Sequence, residues 1–311
     1  MSNPFYNKDV VSIKDFTKED LLYLFKVTDK LQEMNLSELR KLAEGKILGY
    51  LFFEPSTRTR ISFEVAMNLL GGSSVGFSEP KGTSLEKGEN LADTLKVMEG
   101  YCDLILLRHP KDGSARFAAE IVDKPVINGG SGSEEHPTQA MLDLYTIQKL
   151  KGKIDDLNLG IIGDLKYGRT VYSLLYGLSL FKPKVYLISP QELRIRREVF
   201  YDLSEKISIE EFNHLEDVIE ILDVIYVTRI QKERFPDPQD YEKVKGSYTI
   251  DNRILSKSKE DLIILHPLPR VDEIKREVDN SPKAKYFLQS KLGKYIRAAL
   301  IVSLLRDEKL I

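Results

Sequence analysis

Short apolar runs alternate with stretches of helix-spaced apolar residues along this chain, and that alternation restricts the possible folds more than any other feature. Lys46 to Phe53 reads as a buried strand, after which Ile61, Val65, Ala66 and Leu69 recur at helical spacing. The second half echoes this. Asn158-Leu-Gly-Ile-Ile-Gly leads through a glycine-containing turn, ending at Gly168-Arg169-Thr170, into another strand-turn-helix set. With 311 residues the chain exceeds one ordinary core, so two domains of about 150 residues each are expected. The pattern predicts α/β architecture, two doubly wound parallel-sheet domains with the active site in the cleft between them.

Composition narrows the chemistry. A hydrophobic fraction of 42% and a charged fraction of 30% are those of a soluble globular protein. The net charge of −2 gives no general attraction to nucleic acid or to an anionic membrane, so neither is expected as a partner and any anion site must be local. A single cysteine, Cys102, precludes an internal disulfide or a cysteine zinc cluster, and four scattered histidines argue against a metal. The N-terminus lacks a positively charged stretch followed by an apolar one, and no run of about 18 apolar residues occurs. A cytoplasmic protein without metal or cofactor is expected.

Phe53-Glu-Pro-Ser-Thr-Arg-Thr-Arg60 joins the first strand to its helix. The amides of Ser56 to Thr59 would be unpaired donors at a positive helix end, beside the hydroxyls of Ser56, Thr57 and Thr59. Arg58 and Arg60 add forks able to grip phosphate bidentately. Arg108 ends the strand Asp103-Leu-Ile-Leu-Leu and stands before a proline turn, where it can face a cleft beside the sheet. His136 follows a glycine-rich loop and precedes Pro137, which starts a helix to about Leu150. A positive helix end disfavours imidazolium, so a neutral histidine donating to a substrate carbonyl is expected.

Elsewhere the pattern predicts a helix from Thr17 to about Met34, a short one over Ser37 to Ala43, and another over Gln191 to Lys206 with its arginines on a solvated face. Strands are expected near Ser74 to Phe77, Pro125 to Asn128, Val185 to Ile188, from Asp223 and from Asp261. A last helix covers Ser290 to Leu305. Ser78 to Glu89 reads as a polar, mobile loop.

The octapeptide at 53 to 60, together with His136-Pro-Thr-Gln139, resembles the aspartate and ornithine carbamoyltransferase family, and further motifs of that family follow in order along the whole chain. The resemblance implies a carbamoyl-phosphate domain over 1–135, joined by the C-terminal helix 290–311, and an amino-acid domain over 136–289. Arg58, Thr59, Arg108 and His136 match catalytic positions, with Ser56, Thr57 and Gln139 holding the same substrate. Ser84 and Lys87, in Ser-Leu-Glu-Lys-Gly-Glu, match a loop that reaches into a neighbouring subunit, which implies a homotrimer with shared sites and leaves separate regulatory chains open. Arg169, Arg229 and Gln231 match residues that bind the carboxylates of L-aspartate. His266-Pro-Leu-Pro is the aspartate form of a motif that ornithine enzymes write His-Cys-Leu-Pro, and it gives Pro267 and Leu268 carbonyls facing the amine.

The implied reaction is carbamoyl transfer from carbamoyl phosphate to L-aspartate, in pyrimidine synthesis. Departures from the family pattern are Gly129 and Ser131, in place of alanine and aspartate, and Tyr172, where many members have histidine. Altered loop stiffness, with activity kept, is the expectation for the first two. Three rivals compete with this reading. A carbamoyltransferase for another amino acid would keep the phosphate half. A nucleotide hydrolase would rest on Gly163-x4-Gly168-Arg169-Thr170, which lacks the lysine of a phosphate loop. A non-catalytic subunit is opposed by the intact Arg58, Arg108 and His136.

Overall fold

The computed structural model describes residues 3 to 310 apart from 134, 233, 234 and 236. In chain order it contains α1 (Lys18–Glu33), α2 (Leu36–Leu39), β1 (Ile47–Phe52), α3 (Thr57–Leu69), β2 (Ser73–Phe77), α4 (Leu91–Glu99), β3 (Leu104–His109), α5 (Ser114–Ile121), β4 (Val126–Ser131) and α6 (Pro137–Lys151). It continues with β5 (Asn158–Ile162), α7 (Arg169–Leu178), β6 (Lys184–Ile188), α8 (Arg197–Ser204), β7 (Ser208–Phe212), β8 (Val224–Val227), α9 (Pro238–Val244), α10 (Asn252–Leu255), β9 (Ile263–Leu265) and α11 (Tyr286–Leu305). Two compact units result, one running to Leu142 and resuming at Lys291, the other spanning Asp143–Ser290.

The first unit is built on a parallel sheet ordered β2-β1-β3-β4. Leu51, Leu95, Ile105, Leu107, Ala118 and Val126 form a buried cluster around it, and Cys102 is part of that cluster. The second unit carries a parallel sheet ordered β7-β6-β5-β8-β9. Its core joins Ile162, Ile188, Leu222, Ile225, Val227 and Ile264. Both sheets are of the expected parallel α/β class. In each, the chain leaves a central strand in one direction and later returns to add strands on its other side. The reversals lie between β1 and β3 and between β5 and β8, where loops at the strands' carboxyl ends diverge and leave room for a ligand.

Local chemistry accounts for most boundaries. α1 is closed by a capping box, with the Thr17 side chain accepting from Asp20 N and the Asp20 carboxylate accepting from Thr17 N. α3 ends at Gly71, whose φ of +86° and close approach to the Arg40 carbonyl exclude a side chain. Two expected helices are shorter than predicted. α2 stops at Leu39, and the carbonyls of Lys41 and Leu42 accept from Arg306. Over Gln191 to Lys206 a single 3-10 turn, Gln191–Leu193, is followed by extended backbone before α8. Leu193 and Ile195 are both buried there, a spacing of two that suits an extended chain. The arginines of this stretch are correspondingly not all solvated: Arg194 donates to Asn213 and Arg196 to Tyr172. β7 lies in a segment where no strand is predicted.

Candidate active site

The register of β1 against β3 pairs Phe52 with Arg108, so both strands of the first unit's reversal deliver their exit residues together. Beyond Phe52 the chain turns through Glu54 and Pro55 into α3. Ser56 is the N-cap, with extended backbone and no side-chain capping bond. The first intrahelical bond runs from Arg60 N to Ser56 O at 3.3 Å. Helix geometry therefore leaves the amides of Thr57, Arg58 and Thr59 without an intrahelical acceptor. Ser56 is half-buried, Thr57 and Arg58 are exposed, and Thr59 is buried. Arg60 is committed elsewhere, in an ion pair with Glu64 at 2.9 Å one turn along α3, so the turn's second arginine braces the helix.

Arg108 is held from two sides. One guanidinium nitrogen donates to the Gly129 carbonyl at 3.0 Å and the other meets the Glu54 carboxylate at 2.7 Å. The Gly129 contact exists because β4 bulges: Leu107 pairs with Asn128 but His109 with Ser131, so Gly129 and Gly130 together oppose Arg108. Buried Asn128 shapes the bulge, accepting from Gly130 N at 2.9 Å and donating to Val11 O at 2.9 Å and Ser131 Oγ at 3.0 Å. Ser131 thus serves as an acceptor inside the loop.

A Cβ added at Gly129 would stand 3.1 Å from a Leu106 methyl and 3.5 Å from Thr59 Cγ2. Gly129→Ala is therefore expected to keep turnover and to stabilise by less than about 1 kcal/mol, the loss of unfolded-chain freedom outweighing a small Leu106 shift. Thermal unfolding and steady-state assay of the variant check this; a fall in melting temperature of many degrees would show that Leu106 cannot yield.

His136 caps α6, its carbonyl accepting from Gln139 N and Ala140 N at 3.0 and 3.2 Å. Its Nε2 lies 3.3 Å from Thr59 Oγ1 and its Nδ1 3.5 Å from Thr138 Oγ1. His136 and Gln139 are buried. The predicted residues Thr59, Arg108, His136 and Gln139 thus belong to one neighbourhood linked through Gly129 and the Thr59 hydroxyl. Ser84 and Lys87 are different. They sit exposed on a 3-10 turn, Ser84–Lys87, closed by Gly88 at φ +95°, and among the described residues neither side chain bonds to the turn of Ser56 to Thr59.

The second unit repeats the arrangement at its own reversal. Thr228 N donates to Ile162 O, bringing the exits of β5 and β8 together. Gly163 takes φ +126° because any side chain would strike the Thr228 carbonyl at 2.3 Å. Asp164 is fully buried; its carboxylate accepts from Tyr167 N at 2.9 Å and from Gln231 N at 3.3 Å. The Gln231 side chain donates back to Tyr167 O at 3.3 Å. This lattice ties the 164–168 turn, from which Arg169 starts α7, to the segment after β8 that carries Arg229 and Gln231. Arg169 is buried and Arg229 half-buried. A buried carboxylate that already occupies a turn amide is ill suited to a phosphate loop, which disfavours nucleotide hydrolysis here.

Beyond β9, His266 fixes the next turn. Its Nδ1 accepts from Leu268 N at 2.7 Å, so the ring proton resides on Nε2, which faces Glu273 Oε1 at 2.7 Å. Burial pushes the Glu273 carboxyl up, but the bond and charge of His266 and the backbone amides of Glu273 itself and Val271 outweigh it and hold the group below the ordinary glutamate range. Leu268 is bent to φ +57°, a conformation that few non-glycine residues adopt, with Pro267 and Leu268 both half-buried.

Sequence reasoning passed over Glu54, Asn128, Asp164 and Glu273 as partners. Only Glu54 carried a readable signal, as an acid at a strand end beside an anion turn. Asn128 and Asp164 each also bond a residue distant in sequence, Val11 and Gln231.

Residues 8–149 match the family model of the aspartate/ornithine carbamoyltransferase carbamoyl-P binding domain, and residues 155–304 match that of the Asp/Orn binding domain. The chain is 58% identical over 299 residues to the aspartate carbamoyltransferase catalytic subunit of Nitrosopumilus maritimus, a match covering 96% of this chain and 97% of that one. The solved catalytic subunit of M. jannaschii aspartate transcarbamoylase is 50% identical with a TM-score of 0.89, covering 98% of this chain and 100% of the other. Trypanosoma cruzi aspartate transcarbamoylase, solved in complex with carbamoyl phosphate and aspartate, gives a TM-score of 0.93 at 37% identity over 97% of this chain and 98% of that one. With both domain models matched in order over nearly its full length, the chain belongs to the aspartate/ornithine carbamoyltransferase family.

Proposed function

We infer that the chain transfers the carbamoyl group of carbamoyl phosphate to the amine of L-aspartate, giving N-carbamoyl-L-aspartate and phosphate for pyrimidine synthesis. The observation that carries this reading is the cluster at the first unit's strand reversal, where the donor-rich turn of Ser56 to Thr59, the anchored Arg108 and the Thr59–His136 contact converge. The first unit is assigned to carbamoyl phosphate. The second, with Arg169, Arg229 and Gln231 around its own reversal, is assigned to aspartate. Guanidinium groups suit a dicarboxylate, whereas the cationic side chain of ornithine would need an acidic partner.

In this mechanism the phosphate rests on the helix amides and the Ser56, Thr57 and Arg58 side chains, and Gln139 helps hold the carbamoyl group. Thr59, Arg108 and His136 polarise the carbamoyl oxygen and stabilise the oxyanion formed when the uncharged amine attacks. The new C–N bond forms at the carbamoyl carbon, the C–O bond to phosphate breaks, and the departing phosphate accepts the amine proton. Pro267 and Leu268 present carbonyls to the amine, and Arg169, Arg229 and Gln231 orient the carboxylates. Positioning supplies much of the rate.

Ser84 and Lys87 are proposed to serve the site of a neighbouring copy in a homotrimer; their exposure and lack of bonds to their own chain's phosphate turn support this. Separate regulatory chains are compatible with that assembly. A cytoplasmic location completes the reading and is supported by the chain's single, buried cysteine. Among the described residues no helix is long and apolar enough to cross a membrane.

The test is ureido-product formation by the purified chain, offered carbamoyl phosphate with aspartate, ornithine or other amino acids separately. Product with aspartate alone is expected. Product with another amino acid would retain the phosphate half and overturn the assignment of Arg229 and Gln231, and no product at all would overturn the whole.

A further inference from the structure

Tyr172 lies one turn beyond Arg169 on α7 and is buried to 3% exposure, yet its hydroxyl makes two bonds. It donates to the Lys166 carbonyl at 2.6 Å and accepts from Arg196 Nε at 3.0 Å. The direction of each bond is fixed, because a carbonyl can only accept and a guanidinium can only donate. The Arg196 guanidinium also lies over the Tyr172 ring, 4.5 Å from its centroid, so its position is set by stacking as well as by the hydrogen bond. Burial pushes the Tyr172 phenol above its ordinary range, which keeps the hydroxyl a donor at any working pH.

We propose that Tyr172 and Arg196 form a clamp that fixes the backbone of the 164–168 turn, which makes Tyr172 a positioning residue for the carboxylate bound by Arg169. The proposal rests on the aspartate assignment above and extends it to residues that touch no substrate. The turn is also held by Leu165 N donating to Leu193 O at 3.1 Å, by Asp164 accepting from Tyr167 N and by the Gln231 side chain donating to Tyr167 O. Lys166 is exposed, and its carbonyl is the point at which the turn could swing outward. The Tyr172 hydroxyl closes that point. Because Tyr172 and Arg169 stand three residues apart on one helix face, the bond spans the backbone from which the Arg169 side chain departs. An imidazole at 172 could not reproduce this, since each of its nitrogens either donates or accepts, whereas the phenol oxygen does both.

The discriminating variant is Tyr172→Phe, which keeps the buried ring and its stacking on Arg196 and deletes both hydrogen bonds of the clamp. Its KM for aspartate is expected to rise about five- to twentyfold, with KM for carbamoyl phosphate within about twofold of wild type and kcat at saturation lowered less than about threefold. Arg196→Gln, at a half-exposed position, should raise the aspartate KM by about two- to fivefold, and the double variant should match Tyr172→Phe alone, because Arg196 acts through the phenol. A merely structural hydroxyl would lower the melting temperature without this split between the two substrates. An unchanged aspartate KM in Tyr172→Phe, equal shifts for both substrates, or additive effects in the double variant would overturn the clamp while leaving the aspartate reading intact. Should Tyr172→Phe fail to fold, an unchanged aspartate KM in Arg196→Gln overturns it. A wild-type chain that makes no ureido product from aspartate overturns the aspartate reading first, and the clamp's substrate role with it.

Discussion

Arg108→Ala is expected to lower kcat about 10²- to 10³-fold, the usual effect of deleting one oxyanion donor, equivalent to about 2.7 to 4 kcal/mol of transition-state stabilisation. Three features of the structure set that expectation. The side chain is only 12% exposed, it is aimed by bonds to the Gly129 carbonyl and the Glu54 carboxylate, and it leaves the strand beside the donor-rich turn. A group held this firmly acts without reorganising as charge develops. Truncation also removes the guanidinium that pairs with the half-buried Glu54, so that carboxylate then repels the anionic substrate. Arg108→Lys should recover only part of the loss, because an ammonium cannot hold both partners in the planar geometry of a guanidinium. Turnover at saturation in both substrates, with thermal unfolding as a control, decides the matter. Unchanged turnover in a folded Arg108→Ala chain would mean that the residue merely braces the β4 bulge.

Arg229→Ala should act on the other substrate. Loss of a charge-assisted bond to a carboxylate costs about 1.5 to 3 kcal/mol, which converts to a rise of roughly 10- to 150-fold in the aspartate KM. The use of carbamoyl phosphate should be little affected, since Arg229 follows β8 in the second unit. Neighbouring Gln231 cannot compensate, because a neutral amide does not supply the charge or the fork of a guanidinium. Saturation curves for each substrate separate the two effects; an aspartate dependence like that of the wild type would remove Arg229 from the carboxylate site.

The two arginines illustrate different degrees of legibility in the chain. Arg108 could be assigned to a strand end because the apolar run before it and the proline after it are local signals. Its orientation could not, since that depends on a bulge in β4 and on Glu54, from which it is separated by α3, β2 and α4. The helix over Gln191 to Lys206 failed for a related reason. Its composition suits a helix, but burial of Leu193 and Ile195 and the contacts of Arg194 and Arg196 favour extended backbone, and tertiary packing overrides propensity where the two compete. Tyr172 was visible as a departure from its family but had no interpretable role until Arg196, 24 positions later, was found stacked on it.

By itself the sequence determined the class of architecture, the order of most strands and helices, and the residue types gathered in each functional turn. Those follow from periodicity, caps and turn chemistry, which act over a few residues. Only the tertiary structure decided which carboxylate meets Arg108, which amide besides that of Tyr167 Asp164 occupies, and how His266 and Glu273 are set around Leu268. The Glu54–Arg108 and Asp164–Gln231 contacts join residues that leave neighbouring strands, so the sheet order creates their proximity, and desolvation makes such contacts obligatory once the fold has brought the groups together.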